Sequence, residues 1–211
     1  MRDFHFPGRS PVLATGGMCA TSHPLAAKAA VTTLEQGGNA VDAAIAGAVL
    51  LGICEPHMTG LGGDAFALIG HAGGDVTAYN GSGRAPAATD AAALRAQGFD
   101  AVPANDAAAV TIPGAIEAFC RLSSDHGKLG LDTVLAPAIH YAEAGVPVAP
   151  RVAFDWPTAG KALQGHGRTH FLPGGKAPEV GTLFRAPGQA DVLRRVAAHG
   201  AAGFYEGEVA E

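Results

Sequence analysis

The strongest apolar pattern in the chain predicts a helix that is buried on nearly all sides. Val41, Ile45 and Val49 recur at helical spacing, and the residues between them are also apolar. Asn39 precedes this stretch and can cap the helix. Asp42 places a negative charge in the first turn, at the positive end of the helix dipole. The pattern therefore predicts a core helix with a well-defined start.

Another helix is predicted just before it, over residues 25–36. A hydroxyl of Thr21 or Ser22 can accept a hydrogen bond from a free N–H group at its start, and Pro24 suits its first turn. The two glycines after residue 36 end it, because glycine adopts the left-handed conformation common at helix C-termini.

Strands are predicted in two places. Residues 12–20 alternate small and apolar side chains, which favours a strand. Residues 65–71 and 76–79 flank a glycine-containing turn and predict a β-hairpin. Helices stacked before a glycine loop and a hairpin are typical of an α/β layer arrangement.

The second half of the chain is helical and frequently interrupted. Helices are predicted over residues 90–97 with Thr89 as cap, from Ile112-Pro113-Gly114 to about residue 125, over 134–144 and over 188–199. Prolines and glycines recur between residues 146 and 178, so the pattern there predicts no definite element. No repeat or polar linker divides the sequence, and we expect residues 1–211 to be a single, incomplete domain.

Composition and charge argue against several classes of function. The chain has 211 residues, 48% of them hydrophobic, and a net charge of −5. It can therefore bury a core, and its acidic balance argues against nucleic acid as a partner. No apolar run approaches the roughly 20 residues of a membrane-spanning helix. Residues 1–7 do not resemble a secretory signal, so we expect a cytoplasmic protein without a membrane partner. The three cysteines are expected to be reduced.

Several motifs are better explained by structure than by chemistry. The glycine loop at residues 60–63 follows a helix and precedes a strand, whereas phosphate-binding loops have the reverse order. It is interpreted as a packed turn or as a turn lining a cleft. His166 and His170 lack the glutamate of the zinc-hydrolase signature, so neither a metal nor a cofactor is expected. His23 is interpreted as structural, and for His57 the structural and functional interpretations remain equally open.

The turn after the hairpin is the segment that the residues mark as a possible site. Gly81, Ser82, Gly83 and Arg84 combine two glycines, a hydroxyl and a guanidinium at a strand end. Backbone N–H groups beside a fixed cation can bind a carboxylate through paired hydrogen bonds. The alternative is an ordinary turn with a surface arginine.

Several strings in the chain resemble the gamma-glutamyltranspeptidase family. They are GMCATSHPLA at 17–26, QGGNAVDAA at 36–44, the residues EP and TGLGGDAF within 55–66, Ala85-Pro86, Ile112-Pro113-Gly114, LAPAI at 135–139 and FYEG at 204–207. The resemblance runs from about Gly8 to the end of the chain. It implies part of an N-terminal nucleophile hydrolase fold, a four-layer α/β/β/α sandwich cut by self-cleavage into large and small subunits.

The resemblance also implies the chemistry. In the family, a threonine at the start of the small subunit attacks a gamma-glutamyl amide and forms an acyl-enzyme, which water or an amino acid resolves. No counterpart of this threonine is expected here, since Thr32 and Thr33 lie mid-helix in the predicted pattern. We expect no catalytic residue in this chain, which would be inactive without its small subunit. The expected partners are that subunit and a small amide, and the assembly could be a dimer of heterodimers.

The chain departs from the family at its candidate site. The transpeptidases place an Arg-Glu pair before x-Ala-Pro. When this chain is aligned on Ala85-Pro86 without gaps, Ser82 takes the position of the arginine and Gly83 that of the glutamate. Arg84 follows two positions after Ser82. A branch with acylase-like and oxamate-hydrolysing members is similar in having a glycine-rich turn. The substrate is therefore a gamma-glutamyl compound or another amide, with an inactive ligand-binding fragment as the third alternative. An isolated fragment would have an unpaired sheet edge and is expected to be poorly soluble.

Overall fold

Helices predominate in the protein, which a computed structural model describes over residues 11–104 and 106–211. The helices are α1 (Pro24–Glu35), α2 (Ala40–Cys54), α3 (Ala91–Ala96), α4 (Ala115–His126), α5 (Leu131–Ala144), α6 (Pro150–Ala159), α7 (Gly165–Phe171), α8 (Pro187–His199) and α9 (Ala202–Tyr205). The strands are β1 (Ala65–Gly70), β2 (Val76–Gly81), β3 (Val146–Pro147) and β4 (Leu183–Phe184). The expectation about a leader at residues 1–7 lies outside the described residues.

The predicted start of the core helix α2 is confirmed. The Asn39 side chain accepts hydrogen bonds from the N–H groups of Val41 and Asp42, and the Asp42 carboxylate accepts one from the Asn39 N–H. This reciprocal pair satisfies donors that a helix N-terminus leaves free. Most of α2 is buried, as its apolar faces predict.

The Asp42 carboxylate also joins distant parts of the chain. Its Oδ2 atom accepts from the Lys128 N–H at 3.0 Å and its Oδ1 from the Leu129 N–H at 3.3 Å. The Asn39 amide donates to the carbonyl of His126 at 2.6 Å. Asp42 is 0% exposed. The end of α4 and the loop before α5 are therefore held against the start of α2 by one buried carboxylate and one amide.

Two predicted caps are wrong. His23, and not a hydroxyl, caps α1, since its Nδ1 accepts from the Leu25 N–H at 3.2 Å, while the Ser22 hydroxyl donates to Glu55. Asp90, and not Thr89, caps α3. In both cases the capping side chain lies one residue nearer the helix than the hydroxyl that the sequence offered.

The predicted hairpin is confirmed and the predicted strand at residues 12–20 is wrong. Strands β1 and β2 are antiparallel, with Ala65 opposite Gly81 and Gly70 opposite Val76. Residues 12–20 form no strand and are mostly exposed. Alternation alone does not make a strand, because a strand needs a neighbour for its backbone hydrogen bonds.

The hairpin has one covered face and one open face. Ala67, Ile69 and Tyr79 pack against the helical core. On the other face, Phe66 is 65% exposed and Leu68 is 78% exposed. The described residues thus form helices on one side of a β layer whose other side is bare.

The core is built around α2, which contacts α1, α4 and α5, with α8 packed against α5. Leu50 and Ile53 of α2, Val134 and Leu135 of α5, and Leu193 of α8 are almost fully buried there. Among the described helices, none combines the length and apolar character needed to cross a bilayer.

The cysteines are free thiols, and two of them are expected to react slowly. Burial, with a smaller effect of Glu55, raises the pKa of Cys54 to about 12, and burial with Glu117 raises the pKa of Cys120 to about 11. The thiolate is the reactive form, so both thiols are almost fully protonated at pH 8. Titration of the folded protein with Ellman's reagent at pH 8 should therefore label Cys54 and Cys120 slowly, and labelling should accelerate towards pH 11. Unfolding in guanidinium chloride is the control, and rapid labelling of all three thiols in the folded protein would contradict the expectation.

Candidate functional site

The four residues that the sequence marks as a site, Gly81, Ser82, Gly83 and Arg84, line one surface cavity of about 500 Å³. The segment of residues 112–114 before α4 forms the facing wall. The lining is completed by Tyr79, Asn80, Glu117 and Tyr205. A volume of this order suits a small-molecule ligand.

The two walls approach so closely that only glycine fits at their contact. Gly83 has a φ of +77°, and a Cβ atom there would lie 1.9 Å from the carbonyl oxygen of Ile112. A Cβ atom on Gly114 would lie 2.2 Å from the carbonyl oxygen of Gly81. The Ile112 N–H donates to the carbonyl of Arg84 at 2.9 Å. The shape of the cavity therefore depends on glycine at both positions.

Some polar groups of the turn form hydrogen bonds within the protein. The Ser82 N–H donates to Asn80 Oδ1 at 3.0 Å, and the Thr111 hydroxyl donates to the carbonyl of Ser82 at 3.2 Å. The N–H of Ser82 is thus not free for a ligand, which limits the predicted set of exposed amides. Arg84 is exposed, and in the described part of the chain its guanidinium forms no salt bridge.

Tyr205 is a residue of the cavity that the motif analysis missed. Its hydroxyl donates to the carbonyl of Pro113 at 2.5 Å and accepts from the N–H of Glu117 at 3.2 Å. Burial is the main cause that raises the pKa of Tyr205, while the hydrogen bond from the Glu117 N–H acts in the opposite direction. The phenol therefore anchors α9 to the facing wall and to the first turn of α4. The string FYEG at 204–207 marked the position only as part of a resemblance.

The glycine loop supports this wall. The carbonyl of Gly63 accepts from the N–H groups of Gly114 and Ala115, at 3.0 and 3.1 Å. Leu61 of this loop is buried, whereas Gly62 and Gly63 are exposed and line a second surface cavity, so the loop combines the two interpretations that the sequence left open. It links the start of β1 to the start of α4, which brings the hairpin and the facing wall together.

The histidines lie away from the lining of this cavity. His23 has the predicted structural role as the cap of α1, and burial lowers its pKa while Glu55 acts in the opposite direction. The His57 side chain is 5% exposed, stacks on Trp156 and lies 3.9 Å from Asp155. His166 and His170 are exposed on α7. Within residues 11–104 and 106–211, no three His, Cys, Asp or Glu side chains are placed to hold a metal ion.

The threonines of α1 offer no free nucleophile. The Thr33 hydroxyl is buried and donates to the carbonyl of Ala29 at 2.9 Å. Thr32 lies in the middle of the same helix. Its position gives it no terminal amine to act as a base, which a threonine nucleophile of this kind requires.

Comparisons with known proteins agree on one family. The sequence profile of gamma-glutamyltranspeptidase matches residues 26–211. The glutathione hydrolase-like YwrD proenzyme of Bacillus subtilis is 36% identical over 204 residues, which are 95% of this chain and 38% of that protein. The oxamate amidohydrolase proenzyme of Klebsiella pneumoniae is 38% identical over 208 residues, 94% of this chain and 39% of that protein. The chain thus spans about two fifths of these curated relatives.

Solved structures show the same likeness. Cephalosporin acylase from Bacillus halodurans is 42% identical with a TM-score of 0.89, over 99% of this chain and 40% of that one. Gamma-glutamyltranspeptidase from Helicobacter pylori is 32% identical with a TM-score of 0.87, over 95% of this chain and 59% of that one.

Proposed function

The chain belongs to the gamma-glutamyltranspeptidase family and has its α/β, N-terminal nucleophile hydrolase fold, and from this premise we propose that its full-length gene product cleaves amides that carry a carboxylate. One observation carries the proposal, namely that the Arg84 guanidinium, which forms no salt bridge within residues 11–104 and 106–211, lies at a cavity whose walls meet at Gly83 and Gly114, where no Cβ fits. A guanidinium binds a carboxylate through two parallel hydrogen bonds. Arg84 would hold the substrate, with Ser82 at the edge of the same pocket.

The chemistry would follow the family pattern. A threonine at the start of a small subunit would attack the amide carbonyl, and its own α-amine would take the hydroxyl proton and pass it to the leaving amine. Water or an amino acid would then release the acyl group. This chain would contribute the substrate-binding wall, since its described residues contain no such threonine.

The bare face of the hairpin supports a partner subunit. Phe66 and Leu68 project from it together with Val76, which is 65% exposed. Exposed apolar side chains in one patch mark an interaction surface. We propose that the small subunit supplies the β layer that covers this face, and that residues 1–211 are the incomplete part of that single domain.

The substrate class divides into two candidates. The first is a gamma-glutamyl compound, as the family name implies. The second is a non-glutamyl amide, which is favoured by the absence of an Arg-Glu pair before Ala85-Pro86 and by relatives described as an oxamate amidohydrolase and a cephalosporin acylase. Parallel assays of the full-length gene product with gamma-glutamyl-p-nitroanilide and with oxamate would separate the two.

Replacing Arg84 by alanine in the full-length gene product tests the proposal. A charge-assisted hydrogen bond contributes about 1.5–3 kcal/mol, so KM for the carboxylate-bearing amide should rise about 10- to 100-fold. The value of kcat should change less, because the guanidinium holds the substrate and not the reacting carbonyl. Steady-state kinetics give both constants.

A matched control is available on α3. Arg95 is also exposed and does not line the cavity, so Arg95→Ala should leave KM unchanged. Circular dichroism of both variants checks that the fold is intact. An unchanged KM in a folded Arg84→Ala enzyme would remove Arg84 from the site and the proposal with it.

A further inference from the structure

The second surface cavity, at the glycine loop, has a volume of about 430 Å³. Residues 60–63 form part of its lining, and four helices and the segment after α2 supply the rest: Gly52, Pro56, Thr59, Phe171, Gln189, Val192 and Phe204. None of these residues lines the cavity at Arg84. The lining that the structure describes carries no ionisable side chain, and burial of an unpaired charge is costly. This second cavity therefore fits an uncharged ligand.

Most side chains of the second cavity are apolar. Leu61 and Val192 contribute aliphatic groups, and Phe171 and Phe204 contribute aromatic rings. Aromatic rings pack favourably against other rings, either offset and stacked or edge to face. The lining therefore suits a ligand with an aromatic body, and the volume lies in the range of small-molecule sites.

Two glycines leave the backbone of the loop bare at this cavity. Gly60 and Gly62 have no positive φ, and a Cβ atom on either would meet nothing within 4 Å. Neither backbone strain nor close packing within the described residues thus requires glycine here, whereas both require it at Gly83. Glycine at these positions leaves room for a ligand to approach the backbone closely.

The carboxamide of Gln189 is the polar group of the second cavity that lacks a partner. Gln189 lies in the first turn of α8, and its Oε1 atom is buried, yet within residues 11–104 and 106–211 it accepts no hydrogen bond. A buried acceptor without a partner costs free energy, and such atoms are rare in native proteins. Because no hydrogen bond holds this oxygen, rotation of the terminal amide can turn either Oε1 or the NH2 group towards a ligand.

The other buried side-chain atom without a partner in the described chain, Nδ1 of His57, lies next to the same cavity. His57 directly follows Pro56 of the lining and stacks on Trp156. The indole of Trp156 donates at 2.9 Å to the carbonyl of Phe171, which is also a lining residue. Unused hydrogen-bonding capacity among the described buried side chains is thus concentrated around the second cavity.

We propose that the second cavity binds a small, uncharged aromatic lactam or primary amide, whose adjacent N–H and C=O groups pair with the carboxamide of Gln189. The inference goes beyond the proposed function, because this ligand needs neither Arg84 nor a reacting threonine. A carboxamide offers both an acceptor and donors, so it can form two hydrogen bonds with a group that also offers both. The aromatic body of the ligand packs against the rings and aliphatic side chains of the lining.

Two bicyclic probes that differ in one group test this inference. Oxindole is a lactam with an N–H next to its carbonyl, and 2-indanone has a CH2 group in place of that N–H. Isothermal titration calorimetry of the full-length gene product should show that oxindole binds about 3- to 10-fold more tightly than 2-indanone, as one additional hydrogen bond implies. Neither probe carries a carboxylate, so Arg84→Ala should leave both affinities unchanged.

Replacing Gln189 by leucine removes the carboxamide and keeps a side chain of similar size. The preference for oxindole should disappear in Gln189→Leu, with 2-indanone binding unchanged or tighter. Gln164→Leu is the matched control and should keep the preference, because Gln164 is exposed and lies outside the second cavity. Urea denaturation without ligand is an independent measurement. Gln189→Leu should not lower the free energy of unfolding, because the Oε1 atom that it removes has no partner within the described residues.

Equal affinities of the two probes, no binding of oxindole, or a preference that persists in Gln189→Leu would overturn the inference. A lower free energy of unfolding in Gln189→Leu would do the same, since it would reveal a partner for the carboxamide elsewhere in the full-length protein. A preference that disappears in Gln189→Leu and persists in Gln164→Leu supports the inference. The proposed function is decided separately, by KM in Arg84→Ala.

Discussion

Replacing Asp42 by alanine is expected to lower the free energy of unfolding by about 3–5 kcal/mol, since it removes a cap and the acceptor of several buried N–H groups at once. The carboxylate is 0% exposed and accepts hydrogen bonds from the N–H groups of Asn39, Lys128 and Leu129. Alanine offers no acceptor to any of them. The start of α2 and the loop before α5 should therefore separate early in unfolding.

Urea denaturation followed by circular dichroism measures the effect. Asp125→Ala is the matched control, because Asp125 is an exposed aspartate that pairs with Arg121 on the same helix. Such surface pairs contribute about 0.3–0.5 kcal/mol. Asp42→Asn keeps the size of the side chain and one acceptor oxygen, and should fall between the two. A loss below about 1 kcal/mol in Asp42→Ala would show that the three N–H groups find other partners.

Asp42 also shows which part of the fold the sequence could predict. Its place in the first turn of α2 follows from local rules, because the cap and the helix dipole involve neighbouring residues. Its hydrogen bonds to Lys128 and Leu129 span 86 and 87 residues of chain, and no local sequence pattern predicts them. The hairpin and most of the helices were accordingly predictable, whereas α6, α7, α9 and the contacts between the elements were not.

The prediction of a strand at residues 12–20 was wrong because a local pattern does not show whether a distant partner strand is present. The hairpin could be predicted because the partner strand follows within a few residues and the turn between them contains glycine. Residues 12–20 have a suitable alternation, but a strand there would need a distant partner. The described part of the chain places none beside them.

Only one wall of the candidate site could be predicted from the sequence, because the other wall is distant along the chain. The composition of residues 81–84 marked one wall, since backbone N–H groups of a glycine-containing turn beside a guanidinium can bind an anion. The sequence marked the facing wall at residues 112–114 only as the start of a helix and as part of the family resemblance. Glu117 and Tyr205 had no signal of their own, because their contribution depends on the fold bringing α4 and α9 to the end of β2.

The contact between these walls makes Gly83 the most sensitive position of the cavity. Gly83→Ala should cost about 2–5 kcal/mol, which combines the strain of a left-handed alanine with overpacking. The φ of +77° disfavours any side chain, and the new Cβ would lie 1.9 Å from the carbonyl oxygen of Ile112. Because that oxygen belongs to the backbone, the turn has to move as a whole. Arg84 moves with it, so binding of a carboxylate ligand should weaken more than 10-fold, a loss of about 1.4 kcal/mol or more.

Gly73→Ala separates the two contributions to this loss. Gly73 has a similar φ of +71°, but a Cβ atom there would meet nothing within 4 Å. Alanine at 73 therefore adds backbone strain without a clash, and should cost about 1–2 kcal/mol with no change in ligand binding. Urea denaturation and calorimetry with glutarate measure the two effects in both variants. Suppose that Gly83→Ala lowers neither the free energy of unfolding nor the affinity for glutarate more than Gly73→Ala does. Residues 112–114 would then have to move away from the new Cβ atom without cost. The cavity would not have the rigid wall that carboxylate recognition by Arg84 requires.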